Sequence, residues 1–260
     1  MKTDKKMEKI GLREKVRKEE FESIQHLFIP QTRVLELGGG SGYQAALIAS
    51  LGCEVLSIDV EQRVMPRSLV FPVQNYNGKD IPADDETFDI IYSSNVLEHI
   101  KDVDYTLKEV RRVLKPEGTV IHFLPSPTWR FWNSVAHYVN VIQRLFGGHH
   151  KSINQSETSS HSLPLTNPPQ RHSLTEVLSW CFLGAFKPHG EYQNAVVELF
   201  SYRRSRWRTV FEDAGFNISA VGGNGLFYSG YFLSGLSINT RRRACRLMGH
   251  SCNVFIMKLR

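Results

Sequence analysis

The sequence predicts an α/β protein with a seven-stranded, mostly parallel sheet, helices on both faces and an insertion after the fifth strand. Three observations support this fold class. The apolar run Arg33–Leu37 leads directly into a glycine-rich turn and then into a helical pattern. The run Cys53–Asp59 has the composition of a second strand, and Phe88–Tyr92 that of a strand buried on both faces. A helical pattern and the apolar run Thr119–Leu124 follow, and such alternation of strands and helices is typical of a parallel sheet.

Hydrophobic periodicity assigns the elements of the first half of the chain. Residues 1–28 are interpreted as a charged helical extension with one apolar edge. The first strand is predicted at 33–37, a helix near 42–51, the second strand at 54–59 and a weak third strand within 69–74.

The second half adds two segments that a minimal sheet does not need. Apolar residues at helical spacing from Val103 to Leu114 predict a helix, which the Pro and Gly of Lys115–Gly118 end. Residues 126–200 are predicted to be an insertion with an aromatic amphipathic helix and a polar, mobile loop. A helix around Trp207 then leads back to the sheet.

A second insertion separates the last two predicted strands. It covers 223–250 and is rich in glycine, aromatic residues and arginine. The flanking strands are predicted at 218–221 and 254–259, with the final strand antiparallel to an otherwise parallel sheet.

Length and composition favour one domain over residues 1–260. The chain has 260 residues, of which 41% are hydrophobic, enough for one large core. It has no run of eighteen apolar residues and begins with a charged segment, so we expect a cytoplasmic protein. The four cysteines form no C-x-x-C pair, and His149-His150 has no carboxylate or cysteine nearby in the sequence. We therefore expect neither a disulfide framework nor a metal site.

The net charge of +6 is concentrated near the carboxyl terminus. Between residues 201 and 260 there are ten Lys or Arg and two acidic residues. Arginines at 241–243 and 246 stand near aromatic residues at 227, 228, 231 and 232, a mixture that suits an anionic membrane or a phosphorylated acceptor. The alternative interpretation is a solvated basic face.

The glycine-rich turn has the pattern of a nucleotide-binding βα connection. Its sequence is Glu36-x-Gly38-x-Gly40-x-Gly42. Glycine lets the backbone adopt left-handed dihedrals and approach a ligand closely. The carboxylate of Glu36 would oppose a pyrophosphate but favour a ligand with an ammonium or sulfonium group. Asp59 ends the second strand about twenty residues after the glycines, where a ribose diol needs an acceptor.

These motifs, together with Ser93-Ser-Asn-Val-Leu-Glu-His99 after the fourth strand, resemble the class I S-adenosylmethionine-dependent methyltransferases. The resemblance is close over residues 30–125 and implies a Rossmann-like fold, S-adenosylmethionine as cofactor, and a small-molecule, glycan or lipid-linked acceptor. It implies that the cofactor is bound by Glu36, Gly38, Gly39, Gly40, Gly42, Asp59, Asn77, Gly78, Ser94 and Asn95. Relatives tend to carry Asp where this chain has Asn77.

Catalytic residues depend on the acceptor, because only a hydroxyl acceptor needs a general base. His99 is the first candidate, since it follows the fourth strand, and His189 and Glu191 form a polar cluster in the insertion. Glu191, Asn194 and Glu198 are predicted to share one side of a helix. The alternatives are that Glu98-His99 only holds a turn and that the other cluster is solvated.

Three other functions are weighed against methyl transfer. A dehydrogenase would fit the G-x-G-x-x-A pattern of Gly40–Ala45, but its first glycine would lie far from the strand end and the Asn95–His99 block would have no role. A catalytically idle scaffold with this fold would not need the intact glycines. A nucleic-acid methyltransferase would use the basic tail, but the chain has no recognisable RNA-binding appendage.

Overall fold

The computed structural model describes residues 12–60, 69–146, 187–229 and 236–260. These form two compact units. The first is built from the described parts of 1–124, 205–224 and 253–260, and the second from those of 125–204 and 225–252.

A seven-stranded sheet runs through the first unit in the order β3-β2-β1-β4-β5-β7-β6. Strands β1 to β5 are paired in parallel, and β6 and β7 are antiparallel to each other. This confirms the predicted fold class. The strands are β1 Arg33–Leu37, β2 Glu54–Val60, β3 Gln74–Tyr76, β4 Phe88–Ser94, β5 Leu114–Pro125, β6 Phe216–Gly223 and β7 Cys252–Leu259.

The predicted position of the third strand was wrong. Strand β3 begins at Gln74 and has three residues, all paired with the end of β2. The preceding segment is held elsewhere, since the amide of Val70 donates to the carbonyl of Ser41 at 3.0 Å. The fifth strand also begins earlier than predicted, because Leu114 already pairs with Phe88.

The helices of the described residues are α1 Leu12–Glu22, α2 Tyr43–Ser50, α3 Val103–Val113, α4 Pro127–Phe146, α5 Ala195–Ser201, α6 Arg204–Asp213 and α7 Ile238–Met248. Local chemistry sets their ends. The Asp102 side chain accepts from the amide of Tyr105 at the start of α3. In the described part of the chain, no helix is long and apolar enough to cross a bilayer.

The hydrophobic core of the first unit lies on the two faces of the sheet. The inner strands contribute fully buried aliphatic side chains such as Leu35 and Ile91. Helix α6 covers β7, since the ring of Phe211 lies 5.2 Å from that of Phe255 and edge-on to it.

Strand register brings the predicted site residues to one edge of this sheet. Leu37 at the end of β1 is level with Ile58 of β2 and with Ser93 of β4. The residues that follow these three positions are Gly38, Asp59 and Ser94. Parallel strands all end at the same edge, which is where open α/β sheets bind their ligands.

Candidate functional site

The glycines at both ends of the β1–α2 turn are required by packing. Gly38 and Gly42 have left-handed backbones, with φ of +82° and +72°. A Cβ at Gly38 would lie 2.3 Å from the side chain of Val96, and one at Gly42 would lie 2.6 Å from the carbonyl oxygen of Phe71. These two positions therefore let the turn pack under its neighbours and do not by themselves indicate a ligand.

Gly40 differs from the other glycines of the turn. Its φ is +54°, and a Cβ built there would meet nothing within 4 Å. The apex of the turn therefore adjoins unfilled space at the edge of the sheet, although Gly40 itself is buried. The positive φ favours glycine here, and the space beside it would let a ligand approach the backbone closely.

Asp59 supports the turn from the neighbouring strand. Its carboxylate accepts from the amide of Gly40 at 2.8 Å and from the amide of Val60 at 2.8 Å. The side chain is largely buried, with 6% of the residue exposed. Burial, and then the charge of Asp59, raise the pKa of Tyr76 to about 12. Asp59 is therefore fixed beside the turn, where it can present a carboxylate oxygen to a diol.

Glu36 lies beneath the turn. Its carboxylate accepts from the hydroxyl of Ser57 at 2.5 Å, and a Cβ at Gly39 would come within 3.0 Å of it. Burial raises the pKa of Glu36 to about 7, although the hydrogen bond from Ser57 lowers it in part. The negative charge of Asp59 also raises this pKa, by less than burial does. A nearby cation would favour the ionised form.

The end of β4 is joined to helix α1 by a polar contact that the sequence did not predict. Arg17 donates to the hydroxyl of Ser94 at 3.0 Å. With the amide oxygen of Asn95 oriented toward the guanidinium, that oxygen accepts from Nη1 at 2.7 Å and from Nη2 at 3.0 Å. Asn95 has a φ of +56°, a left-handed backbone that asparagine tolerates better than most residues. This turn places a guanidinium beside the two predicted cofactor residues.

A buried carboxylate orients this arginine. Glu20 is fully buried and pairs with Arg17 at 2.6 Å. Its other oxygen accepts from the side-chain amide of Asn224, which follows β6, at 2.7 Å. Both carboxylate oxygens are therefore used, and the guanidinium is held at the carboxyl edge of the sheet.

Asn77 and Gly78 have a local structural role. The side chain of Asn77 accepts from the amides of Lys79 and Asp80 and donates to the carboxylate of Asp80 at 2.8 Å. Gly78 has a φ of +77°, and a Cβ there would lie 3.1 Å from Val60. This turn follows β3 directly, but the hydrogen bonds of Asn77 serve the turn itself. Contact with the cofactor at these two residues stays a prediction.

His99 ends a short 3₁₀ helix, Leu97–His99, directly after β4. Its amide donates to the carbonyl of Val96 at 2.9 Å, and its Nε2 lies 3.8 Å from the buried carboxylate of Glu98. That distance is too long for a hydrogen bond. The backbone hydrogen bond from His99 to Val96 holds this turn, and a catalytic role for His99 stays a prediction.

The expected helical face of Glu191, Asn194 and Glu198 was wrong. Helix α5 begins at Ala195, because the Asn194 side chain caps it by accepting from two of its amides. Glu191 precedes the helix and is exposed. Only Glu198 lies within the helix, and it is fully buried.

Glu198 is part of the core of the second unit. It pairs with the buried Arg130 at 2.7 Å and accepts from the amide of His189 and, at 2.7 Å, from that of Gly190. The ring of His189 packs edge-on against Trp129 at 4.7 Å. Glu198 is thus a structural residue. The predicted catalytic roles of His189 and Glu191 in this unit stay predictions.

Comparison with known proteins agrees with this geometry. Residues 35–122 match the model of a methyltransferase domain. Over 103 residues the chain is 31% identical to a glycine/sarcosine/dimethylglycine N-methyltransferase of Actinopolyspora halophila, covering 35% of this chain and 18% of that protein. Over 108 residues it is 28% identical to a ubiquinone biosynthesis O-methyltransferase of Bartonella tribocorum, covering 38% and 44%.

Residues 35–122 thus match the methyltransferase domain family, whose members named above are similar to this chain over that part. S-adenosylmethionine is the cofactor of this family. The chain spans less than half the length of the two curated relatives.

Solved structures support the fold. An S-adenosylmethionine-dependent methyltransferase of Mesorhizobium loti superposes with a TM-score of 0.54 at 15% identity, over 92% of this chain and 97% of that one. A second, from Listeria monocytogenes, gives 0.53 at 14% identity, over 94% and 99%.

The predicted cofactor residues fall into two groups. The first lies at or just after the carboxyl ends of β1, β2 and β4 and consists of Glu36, the turn glycines, Asp59, Ser94 and Asn95. The second consists of Asn77 and Gly78, in the turn after β3. Sequence reasoning missed Arg17, Glu20 and Asn224. The only local signal was the three-residue spacing of Arg17 and Glu20 on a charged helix, which is common on solvated helices as well.

Proposed function

We propose that this protein transfers a methyl group from S-adenosylmethionine to a small-molecule, glycan or lipid-linked acceptor. The observation that carries the proposal is the open apex at Gly40, supported from below by the fixed carboxylate of Asp59. The positive φ alone would favour glycine at this position, and the unfilled space beside it leaves room for a ligand. The family match over residues 35–122 supports the same conclusion.

The charges at the carboxyl edge suit each part of the cofactor. Asp59 would accept hydrogen bonds from the ribose hydroxyls. The carboxyl of Glu36, with its raised pKa, would be ionised by a sulfonium or ammonium nearby. Arg17, held by Glu20 and Asn95, would pair with the carboxylate of the methionine group.

The bound cofactor supplies an electrophilic methyl on sulfur, and the protein has to position a nucleophile in line with it. Positioning of this kind provides up to roughly 7–11 kcal/mol. A hydroxyl acceptor would also need a base, for which we propose His99 at the end of β4. An amine acceptor would depend much less on a general base. Both kinds of acceptor occur among similar proteins, since the two curated relatives are named as an N-methyltransferase and an O-methyltransferase.

For a lipid-linked acceptor, the proposal includes peripheral contact with an anionic membrane. The exposed arginines near the carboxyl terminus motivate this part of the proposal. A small free acceptor would need no such contact.

The test uses S-adenosylmethionine labelled in the methyl group, incubated with the purified full chain and with acceptor pools of small acids, amines, phenols, nucleotide sugars and lipid-linked sugars. We expect label in one pool, and much less of it when Asp59→Ala replaces the wild type at a cofactor concentration near the wild-type Kd. Nucleic acids are added as a further pool. Cofactor binding without label in any of these pools would favour a catalytically idle scaffold protein. Label in RNA alone would contradict the proposed acceptor class.

A further inference from the structure

Helix α7 of the second unit has an inner and an outer face. On the inner face, Arg241 is 1% exposed and donates to the carbonyls of Leu236 at 3.2 Å and Phe227 at 3.4 Å. This corrects the expectation that Arg241 and Phe227 lie on the surface, since Phe227 is also 1% exposed. Tyr231 and Phe232 lie outside the described residues.

The outer face of α7 is basic. Four of its exposed residues follow the spacing i, i+3, i+4, i+7, and they are Asn239, Arg242, Arg243 and Arg246. Thr240 and Leu247 are exposed as well. The helix sequence contains no Asp or Glu. The inner arginine therefore holds the helix in place, while Arg242, Arg243 and Arg246 are exposed on its outer face.

The carboxyl end of α7 lies against the first turns of α4. Trp132 of α4 donates its indole N–H to the carbonyl of Met248 at 3.1 Å. Gly249 approaches Thr128 so closely that a Cβ would lie 2.7 Å from its methyl group. These two contacts, within one unit, join the carboxyl end of α7 to the start of α4.

Large apolar side chains are exposed on the same two helices. Leu247, next to the contact with Trp132, is 92% exposed. On α4, Phe131 is 51% exposed and its ring lies 5.3 Å from that of Trp132. Tyr138, seven residues further on and so on the same side of α4 as Phe131, is 37% exposed. A single exposed Leu is ordinary, but apolar side chains beside a basic helix face form a combined pattern.

We propose that the α4–α7 surface docks on the face of an anionic lipid bilayer. This surface consists of Phe131, Tyr138, Arg242, Arg243, Arg246 and Leu247. Arginines at the level of the phosphates attract anionic headgroups, and each one near such a surface contributes to binding independently of a spanning helix. Leu and aromatic side chains beside them enter the boundary between headgroups and acyl chains, as in other interfacial helices.

A lipid surface explains these residues better than a nucleic acid does. Both partners would attract the three arginines, but single-stranded nucleic acids are bound by stacking bases on aromatic rings. The most exposed apolar residue, Leu247, has no ring to stack on. The inference rests on the membrane contact included in the proposed function and names the surface that would make it, but docking itself depends neither on the cofactor nor on the identity of the acceptor.

The test is co-sedimentation of the full chain with vesicles of phosphatidylcholine, with and without phosphatidylglycerol. Replacing Arg242, Arg243 and Arg246 by Gln should weaken binding to the anionic vesicles roughly a hundredfold at 0.1 M salt. Leu247→Gln should weaken it by about tenfold or more, because it removes the inserted apolar side chain. Both variants should bind S-adenosylmethionine as the wild type does, which separates this test from that of the proposed function.

A matched control removes the same charge elsewhere. Lys15, Lys108 and Lys258 are exposed residues of the first unit, and their joint replacement by Gln lowers the net charge by the same amount. This variant should keep most of the vesicle binding. Equal losses in the two triple variants would mean nonspecific charge attraction and would overturn the proposal. Vesicle binding that is unchanged by Leu247→Gln would also overturn the proposal. Binding of the wild type to single-stranded RNA but not to anionic vesicles would overturn it too.

Discussion

Replacing Glu36 by Gln should stabilise the protein in a pH-dependent way. Burial raises the pKa of Glu36 from an ordinary value of 4.5 to about 7. Below pH 4.5 the carboxyl is protonated in the folded and the unfolded chain alike, so it has no effect on the pH dependence. As the pH rises, the unfolded chain ionises first, and the wild type loses stability until the folded carboxyl also ionises above pH 7.

The magnitude follows from the two pKa values. They differ by about 2.5 units, and each unit corresponds to about 1.4 kcal/mol, so the full effect is about 3 kcal/mol. Between pH 5 and pH 8 we expect the Gln variant to gain about 2 to 3 kcal/mol relative to the wild type. The hydrogen bond from Ser57 can be kept by the amide oxygen, so any constant loss should appear equally at both pH values.

Urea unfolding at pH 5, 6, 7 and 8 measures this difference, because other titrating groups are common to both proteins and cancel. The matched control is Glu54→Gln, since that side chain is 75% exposed on the same sheet. A stability difference between wild type and the Glu36 variant that does not change with pH would contradict the raised pKa of Glu36. The Gln variant should also bind S-adenosylmethionine less tightly at pH 8, where the wild type presents a full negative charge.

Further substitutions test the cofactor site and the base. Asp59→Ala should weaken cofactor binding by roughly 1.5–3 kcal/mol in calorimetry, and an unchanged affinity in the folded variant would contradict its ribose role. Gly40→Val should abolish binding, because the branched side chain fills the open apex and disfavours a positive φ; normal binding would exclude the apex as the cofactor site. Arg17→Gln should weaken the binding of S-adenosylhomocysteine about tenfold and leave the binding of 5′-methylthioadenosine, which has no carboxylate, unchanged. Equal losses of affinity for the two ligands would argue against an ion pair between Arg17 and the ligand carboxylate. With a hydroxyl acceptor, His99→Gln should lower the rate of methyl transfer on the order of 10²–10⁴-fold at unchanged cofactor affinity. Full activity of this variant would show that His99 is not the general base.

The sequence predicted the parts of the site that follow one another closely in the chain. The glycine turn, the end of β2 and the end of β4 each carry a strand pattern followed at once by a polar or glycine residue. Parallel pairing then brings Gly38, Asp59 and Ser94 to one edge with no further information. Short-range spacing was sufficient for this part of the site.

Contacts between distant parts of the chain could not be predicted in this way. Arg17 and Ser94 are 77 residues apart, and Glu20 and Asn224 are 204 apart. Nothing in the local pattern around any of them indicates the partner. Only the packing of α1 against the end of β4 shows that a guanidinium belongs to the site.

Side-chain burial was the other source of error. Glu198 and Arg241 looked like surface residues because charged side chains are rarely buried. Each is buried because specific partners satisfy it, Arg130 for the first and two backbone carbonyls for the second. A sequence read without its tertiary contacts cannot distinguish such residues from solvated ones.

Titration calorimetry of S-adenosylmethionine into the purified full chain is the decisive test of the cofactor site. We expect a single saturable site for the wild type, and a loss of affinity in Asp59→Ala while circular dichroism shows the sheet intact. Absence of binding to a folded wild-type chain, or equal affinity in the two proteins, would contradict the assignment of the Gly40 apex and Asp59 as the cofactor site.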